Sequence, residues 1–124
     1  MKKQIAIVLL LLVTTVSART FDKPKKAIAL RKGETEFTIT LDSNPSTGFA
    51  WYYSPSTDNI IKLTSHKFVR TESDKIGSPG KEYWTFEVST DRLVGPMIFN
   101  LNFAYMRAWE IEKAESAHVF VLTP

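Results

Sequence analysis

The sequence predicts an all-β protein of two packed sheets. Three observations carry that prediction. Apolar residues recur with period 2 in several short runs, and turn-forming residues separate those runs. Beyond residue 18, no stretch sustains the 3.6-residue period of an amphipathic helix. About seven short strands, with turn signals roughly every 8–15 residues, describe an immunoglobulin-like antiparallel β-sandwich.

The strands can be taken in order. Phe37, Ile39 and Leu41 alternate with Glu36, Thr38 and Thr40, which predicts one buried face. Trp51-Tyr52-Tyr53 forms a short aromatic strand, and Ile60 to Val69 a longer, mixed one. Trp84, Phe86 and Val88 alternate with Tyr83, Thr85 and Glu87. Phe99, Leu101, Phe103 and Tyr105 alternate with Asn100, Asn102 and Ala104. In the last run, Val119 and Val121 alternate with His118, Phe120 and Leu122; both faces read as apolar, which predicts a central strand. The punctuation comes from Arg31-Lys32-Gly33, Asn44 to Gly48, Ser54-Pro55-Ser56, Gly77 to Gly80 and Gly95-Pro96.

The N-terminus reads as a targeting segment. Met1-Lys2-Lys3 is basic, Ile5 to Val13 is an apolar run of nine residues, and Val16-Ser17-Ala18 satisfies the small-residue rule for cleavage. The run is too short for a membrane-spanning helix, which needs roughly 20 residues. The reading is therefore a signal peptide at 1–18 and one domain at 19–124. It predicts an exported protein, extracellular, periplasmic or endolysosomal, with no membrane segment in its mature form. Without Lys2 and Lys3, the 16 basic residues fall to 14 against 13 acidic ones, a net charge of +1. That is no footprint for nucleic acid, which requires a clustered basic face. With no cysteine, the domain is indifferent to redox state and cannot exchange disulfides. The sequence N-P-S at Asn44 is blocked as a glycosylation acceptor by its proline.

Catalytic chemistry is sparse. His66 and His118 each lie inside a predicted strand without a second ligand at metal spacing, so no metal or cofactor is expected. Neither a nucleophile elbow nor a glycine-rich phosphate loop is present. Glu110 and Glu112 read as solvated acids. The chain is expected not to be an enzyme, although a triad assembled in space is invisible to this reasoning.

Three loops of unusual composition remain. In Asn44-Pro45-Ser46-Thr47-Gly48-Phe49, Pro45 fixes φ and Gly48 supplies a conformation that other residues resist. This predicts a stiff turn with the hydroxyls of Ser46 and Thr47 free at its apex. Composition alone favours a plain β-turn over a site. The second loop, Thr71 to Lys81, is long and polar and contains Gly77-Ser78-Pro79-Gly80. The third places the Arg107 guanidinium and the Trp109 indole near a strand end. Those residue types are enriched in binding hot spots. They could equally be a core cap and a local ion pair.

Together these loops resemble the chagasin-like inhibitors of cysteine peptidases. Asn44 to Trp51 is similar to that family's N-P-T-T-G-[FY]-x-W segment, Gly77 to Gly80 to its G-x-G-G loop, and Tyr105 to Trp109 to its Y-M-R-P-W segment. The three occur in family order between about Ile28 and Leu122. Ser46 stands where the family has threonine, Pro79 where it has glycine, and Ala108 where it has proline. The resemblance implies an immunoglobulin-like fold and a monomer. It also implies reversible, tight, competitive inhibition of papain-family peptidases of the cathepsin-L-like class. Asn44, Pro45, Ser46, Thr47, Gly48 and Phe49 would occupy the centre of the enzyme cleft. Gly77, Ser78, Pro79 and Gly80 would flank it on one side, and Arg107 and Trp109 on the other. The competing expectation is a secreted sandwich that binds a glycan or surface receptor through the same aromatic residues.

Overall fold

A computed structural model describes residues 18–71 and 77–124 of the chain. The segment read as a signal peptide, 1–18, thus lies outside the described residues except for Ala18. Among the described residues the regular structure is eight strands and three single 3-10 turns, with no α-helix. One sheet contains β1 (Arg19–Asp22), β3 (Glu36–Ser43), β6 (Gly80–Val88) and β5 (Ile61–Arg70), in the order β1-β3-β6-β5. The other contains β2 (Ile28–Ala29), β8 (Glu115–Leu122), β7 (Ile98–Arg107) and β4 (Phe49–Ser54), in the order β2-β8-β7-β4. No described helix is long and apolar enough to cross a membrane.

The period-2 runs become the core. Phe37 and Ile39 from β3, Trp84, Phe86 and Val88 from β6, Leu101 and Phe103 from β7, and Val119 and Val121 from β8 are all buried. Aromatic rings dominate the contact between the sheets. Trp84 meets the Phe103 ring across the sandwich at 5.4 Å and Tyr53 meets Phe86 at 5.2 Å, while Phe37 stacks on Phe86 within one sheet at 5.4 Å. Such offset and edge-on pairs add to the burial of their area.

Three details depart from the sequence expectation. First, the fold holds two parallel pairings, β1 with β3 and β2 with β8. These strands are too short for a period to show, and Pro24 interrupts the segment between them. Second, β3 is buried on both faces, because Thr38 and Thr40 are covered as well. Each threonine keeps a polar partner, Thr85 Oγ1 at 2.9 Å and Asp22 Oδ1 at 2.7 Å. Third, β8 lies between β2 and β7, yet Phe120 on its outer face is exposed. No layer covers that side of the sheet, so an apolar residue there signifies strand propensity without burial.

The register brings the loops together. β3 runs into the Asn44–Gly48 turn, and its last residue, Ser43, pairs with Gly80, the first of β6. After the turn, Phe49 opens β4 in the opposite sheet and pairs with Arg107, the last of β7. One short turn therefore steps between the sheets. Its two ends are tied to the base of the second loop and the base of the third.

Candidate functional site

The turn is built from its own polar groups. Pro45–Thr47 forms one 3-10 turn, and Gly48 closes it at φ 83° with its N–H donating to the Pro45 carbonyl at 2.9 Å. That φ is left-handed, a region where a Cβ is costly and glycine is not. Ser46 Oγ donates to Asn44 Oδ1 at 2.6 Å, and Thr47 Oγ1 donates to the Asn44 carbonyl at 2.7 Å. The hydroxyls expected to be free are therefore spent inside the turn, in the local bonds that serine, threonine and asparagine side chains form with nearby groups. The turn's entry is pinned as well, with the Asn44 N–H donating to the Tyr105 hydroxyl at 3.3 Å.

Each of the other loops touches this turn. Ser46 Oγ also reaches the Gly77 carbonyl of the second loop, at 3.4 Å. Arg107 Nε donates to the Thr47 carbonyl at 2.9 Å, while its guanidinium lies over the Phe49 ring, 4.5 Å from the centroid. Trp109 lies across Gly48 so closely that a Cβ there would sit 2.7 Å from the indole Cη2. Ser46, Thr47, Gly48, Gly77, Arg107 and Trp109 thus form one contiguous surface at one end of the sandwich.

Within that surface the residues divide. Trp109 is 69% exposed, so it does not cap the core; its indole is presented to solvent over a glycine floor. Arg107 is committed to its surroundings, since its Nη1 also donates to Glu110 Oε1 at 3.2 Å. Lys113 on Glu110, with Arg107 as the second cause, holds the Glu110 carboxyl below its ordinary range. Arg107 therefore reads as a brace for the turn. In the second loop, Pro79 is exposed and its carbonyl accepts from the Thr71 N–H at 3.1 Å, continuing the β5–β6 ladder. Gly80 is buried at the ladder's start. A Cβ there would overlap the Val69 carbonyl oxygen and lie 2.8 Å from Arg70 Cα. Its glycine is a packing requirement of the sheet, and it stands behind the surface that Gly77 and Pro79 help to form.

One residue beneath the site was invisible as a loop motif. Glu82 is 3% exposed on the core face of β6, in the same alternation as Trp84, Phe86 and Val88. Its Oε2 accepts from the Trp51 N–H at 3.1 Å, and its Oε1 lies 2.7 Å from His66 Nε2. The signal available in the sequence was a lone acid in a core register. His118 is engaged elsewhere, with Asn102 Oδ1 at 2.6 Å, and no metal-binding cluster occurs among the described residues.

Comparison with known proteins identifies a family and a fold. Residues 30–123 match the model of the Chagasin family peptidase inhibitor I42. Chagasin of Trypanosoma cruzi is 33% identical over 75 residues, which span 57% of this chain and 64% of chagasin. Among solved structures, the cysteine protease inhibitor EhICP2 of Entamoeba histolytica superposes with a TM-score of 0.60 at 19% identity, covering 86% of this chain and 93% of its own. Amebosin superposes with a TM-score of 0.61 at 20% identity, covering 87% and 99%. These two likenesses are of fold. The match of the family model over most of the chain, residues 30–123, places the chain in the chagasin family of peptidase inhibitors.

Proposed function

We propose that this protein is a reversible, tight-binding, competitive inhibitor of papain-family cysteine peptidases, of the cathepsin-L-like class, and that it acts as an exported monomer. The observation that carries the reading is the convergence of three loops distant in sequence on one end of the sandwich, through Ser46–Gly77, Thr47–Arg107 and Gly48–Trp109. A wedge of that kind obstructs a cleft without a covalent step. The internal bonds of the turn leave it little entropy to lose on docking, and pre-organisation of this sort converts contact area into affinity. Ser46 and Thr47 supply the tip, Gly77 to Pro79 one flank and Trp109 the other, with Arg107 bracing the tip from the side.

The test is a titration of mature protein, residues 19–124, against papain and a cathepsin-L-like enzyme. Competitive inhibition at one inhibitor per active site is expected, with full activity regained on dissociation. No inhibition of either enzyme by folded protein would sink the proposal and leave the glycan- or receptor-binding sandwich as the reading to pursue. Export has its own check: protein recovered from its natural compartment should begin at Arg19, and retention of Met1 would refute processing.

A further inference from the structure

We propose that Glu82 is a positioning residue for the wedge, fixing the first loop against the second from inside the sandwich. The inference deepens the inhibitor reading and rests on it. A carboxyl group in a core register is costly unless its oxygens are satisfied, and an apolar side chain is the default there. Both Glu82 oxygens are satisfied, and by different layers. One takes the backbone N–H of Trp51 in β4, and the other meets His66 in β5.

The bond to Trp51 is informative because β4 is an edge strand of its sheet, paired on one side only, with β7. The Trp51 N–H finds its acceptor across the sandwich, in the other sheet. Its indole does the same, with Nε1 donating to the Asp42 carbonyl of β3 at 2.8 Å. Trp51 is thereby held at two points to the sheet that carries the second loop. Asp42 precedes the turn, Trp51 follows it, and Glu82 lies two residues after Gly80, where the second loop rejoins β6. A shift of β4 relative to β6 would carry Gly48 and Ser46 away from Gly77. The Glu82–Trp51 bond opposes that shift, and no residue of the exposed surface takes part in it.

The experiment compares wild type, Glu82→Gln and Glu82→Leu in two measurements. The first is inhibition of papain, with association and dissociation rates. The second is hydrogen exchange at the Trp51 amide. Glutamine keeps an acceptor for Trp51, and a tautomer of His66 can serve its amide. Leucine fills the space and removes the acceptor. Glu82→Leu removes one partner only, so the Trp51 N–H loses its acceptor and some stability is lost. His66 is partly exposed and can turn to water, and the variant is expected still to unfold cooperatively. It should nevertheless inhibit about tenfold more weakly, a change of about 1.4 kcal/mol, with its Trp51 amide exchanging about tenfold faster. Glu82→Gln should stay within about threefold of wild type on both readouts.

A folded Glu82→Leu variant with wild-type inhibition would overturn the proposal, as would a Glu82→Gln variant as weak as the leucine variant. If Glu82→Leu does not fold, the Trp51 amide of the wild type decides. Slow exchange supports the tie, and exchange at the rate of an exposed edge-strand amide refutes it. If wild-type protein inhibits no peptidase, the inhibitor reading fails by itself, while the amide measurements still report whether Glu82 holds the turn.

Discussion

Gly48→Ala combines two separable penalties, and the molecule contains its own control for one of them. The first is conformational. At φ 83° an L-residue costs about 1–2 kcal/mol relative to glycine. In a domain of this size, 1 kcal/mol lowers the thermal midpoint by roughly 4–8 °C. The second is steric. The new Cβ would sit 2.7 Å from Trp109 Cη2 and 3.3 Å from Cζ2, so the indole must leave its seat. Gly33 has nearly the same φ, 81°, with nothing within 4 Å of where a Cβ would project. It also lies before β3, at the end of the sandwich away from the wedge. Gly33→Ala should therefore lose a similar amount of stability and inhibit like wild type. Gly48→Ala should lose that stability and also inhibit at least tenfold more weakly, the loss of about 1.4 kcal/mol expected when a hot-spot aromatic is displaced. Thermal unfolding and inhibition constants against papain, measured on all three proteins, separate the two penalties. Equal inhibition by the two variants would mean that the seat of Trp109 on Gly48 has no part in binding.

Other variants probe the remaining assignments. Trp109→Ala should leave the thermal midpoint nearly unchanged because the indole is mostly exposed, yet weaken inhibition about 30-fold, as loss of about 2 kcal/mol at a hot spot requires. A large drop in stability would instead make Trp109 a core residue. Gly80→Ala should yield little folded protein, since the Val69 carbonyl and Arg70 Cα leave no room; normal folding with weakened inhibition would move Gly80 from the sheet to the contact surface. Stability should fall in acid. The bidentate Arg19 pair, at 2.6 Å to each oxygen, holds the Glu34 carboxyl below its ordinary value of 4.5, and Lys81, then Thr40, hold Asp22 below 3.8. For carboxyls depressed by folding, the stabilisation is fully present above the ordinary value. It is lost as pH falls through the folded one. Denaturant midpoints should be flat above about pH 5 and decline below about pH 4; Glu34→Gln should weaken that decline, and an unchanged slope would remove the pair from the account.

The parts of this fold that announce themselves are those where burial imposes a period. Phe37-Ile39, Trp84-Phe86-Val88 and Leu101-Phe103 alternate because one side of each strand faces the other sheet. The same reasoning misreads Phe120, since period 2 reports a strand face without saying whether a layer covers it. β1 and β2 escape notice because strands of four and two residues hold too few side chains for any pattern. At the site, Gly48 is legible because only glycine is at ease in the backbone that the turn needs. The destinations of the Ser46 and Thr47 hydroxyls are settled by Asn44, at 2.6 and 2.7 Å, a local geometry that composition does not encode. Gly80 reads like a loop glycine in one dimension, and only the register against Ser43 and Arg70 makes it a sheet position. Glu82 is written plainly among core residues, but its partners, Trp51 and His66, are 31 and 16 positions away.

If the Asn44–Gly48 turn enters a peptidase's cleft as proposed, the step it makes between the two sheets bears on its survival there. A peptide bond is cut when its segment can detach and lie extended along the catalytic groove, so a loop that frays cheaply is degraded even when the rest of the protein is sound. This turn has no cheap way to fray. Its entry leads from Ser43, hydrogen-bonded within one sheet, and its exit into Phe49, within the other, so drawing it out by a few residues on both sides pulls on both halves of the core at once. Exposing it as a substrate therefore breaks ladder bonds in both sheets and not in one alone. The same covalent economy that brings three loops to one point also makes the point hard to digest.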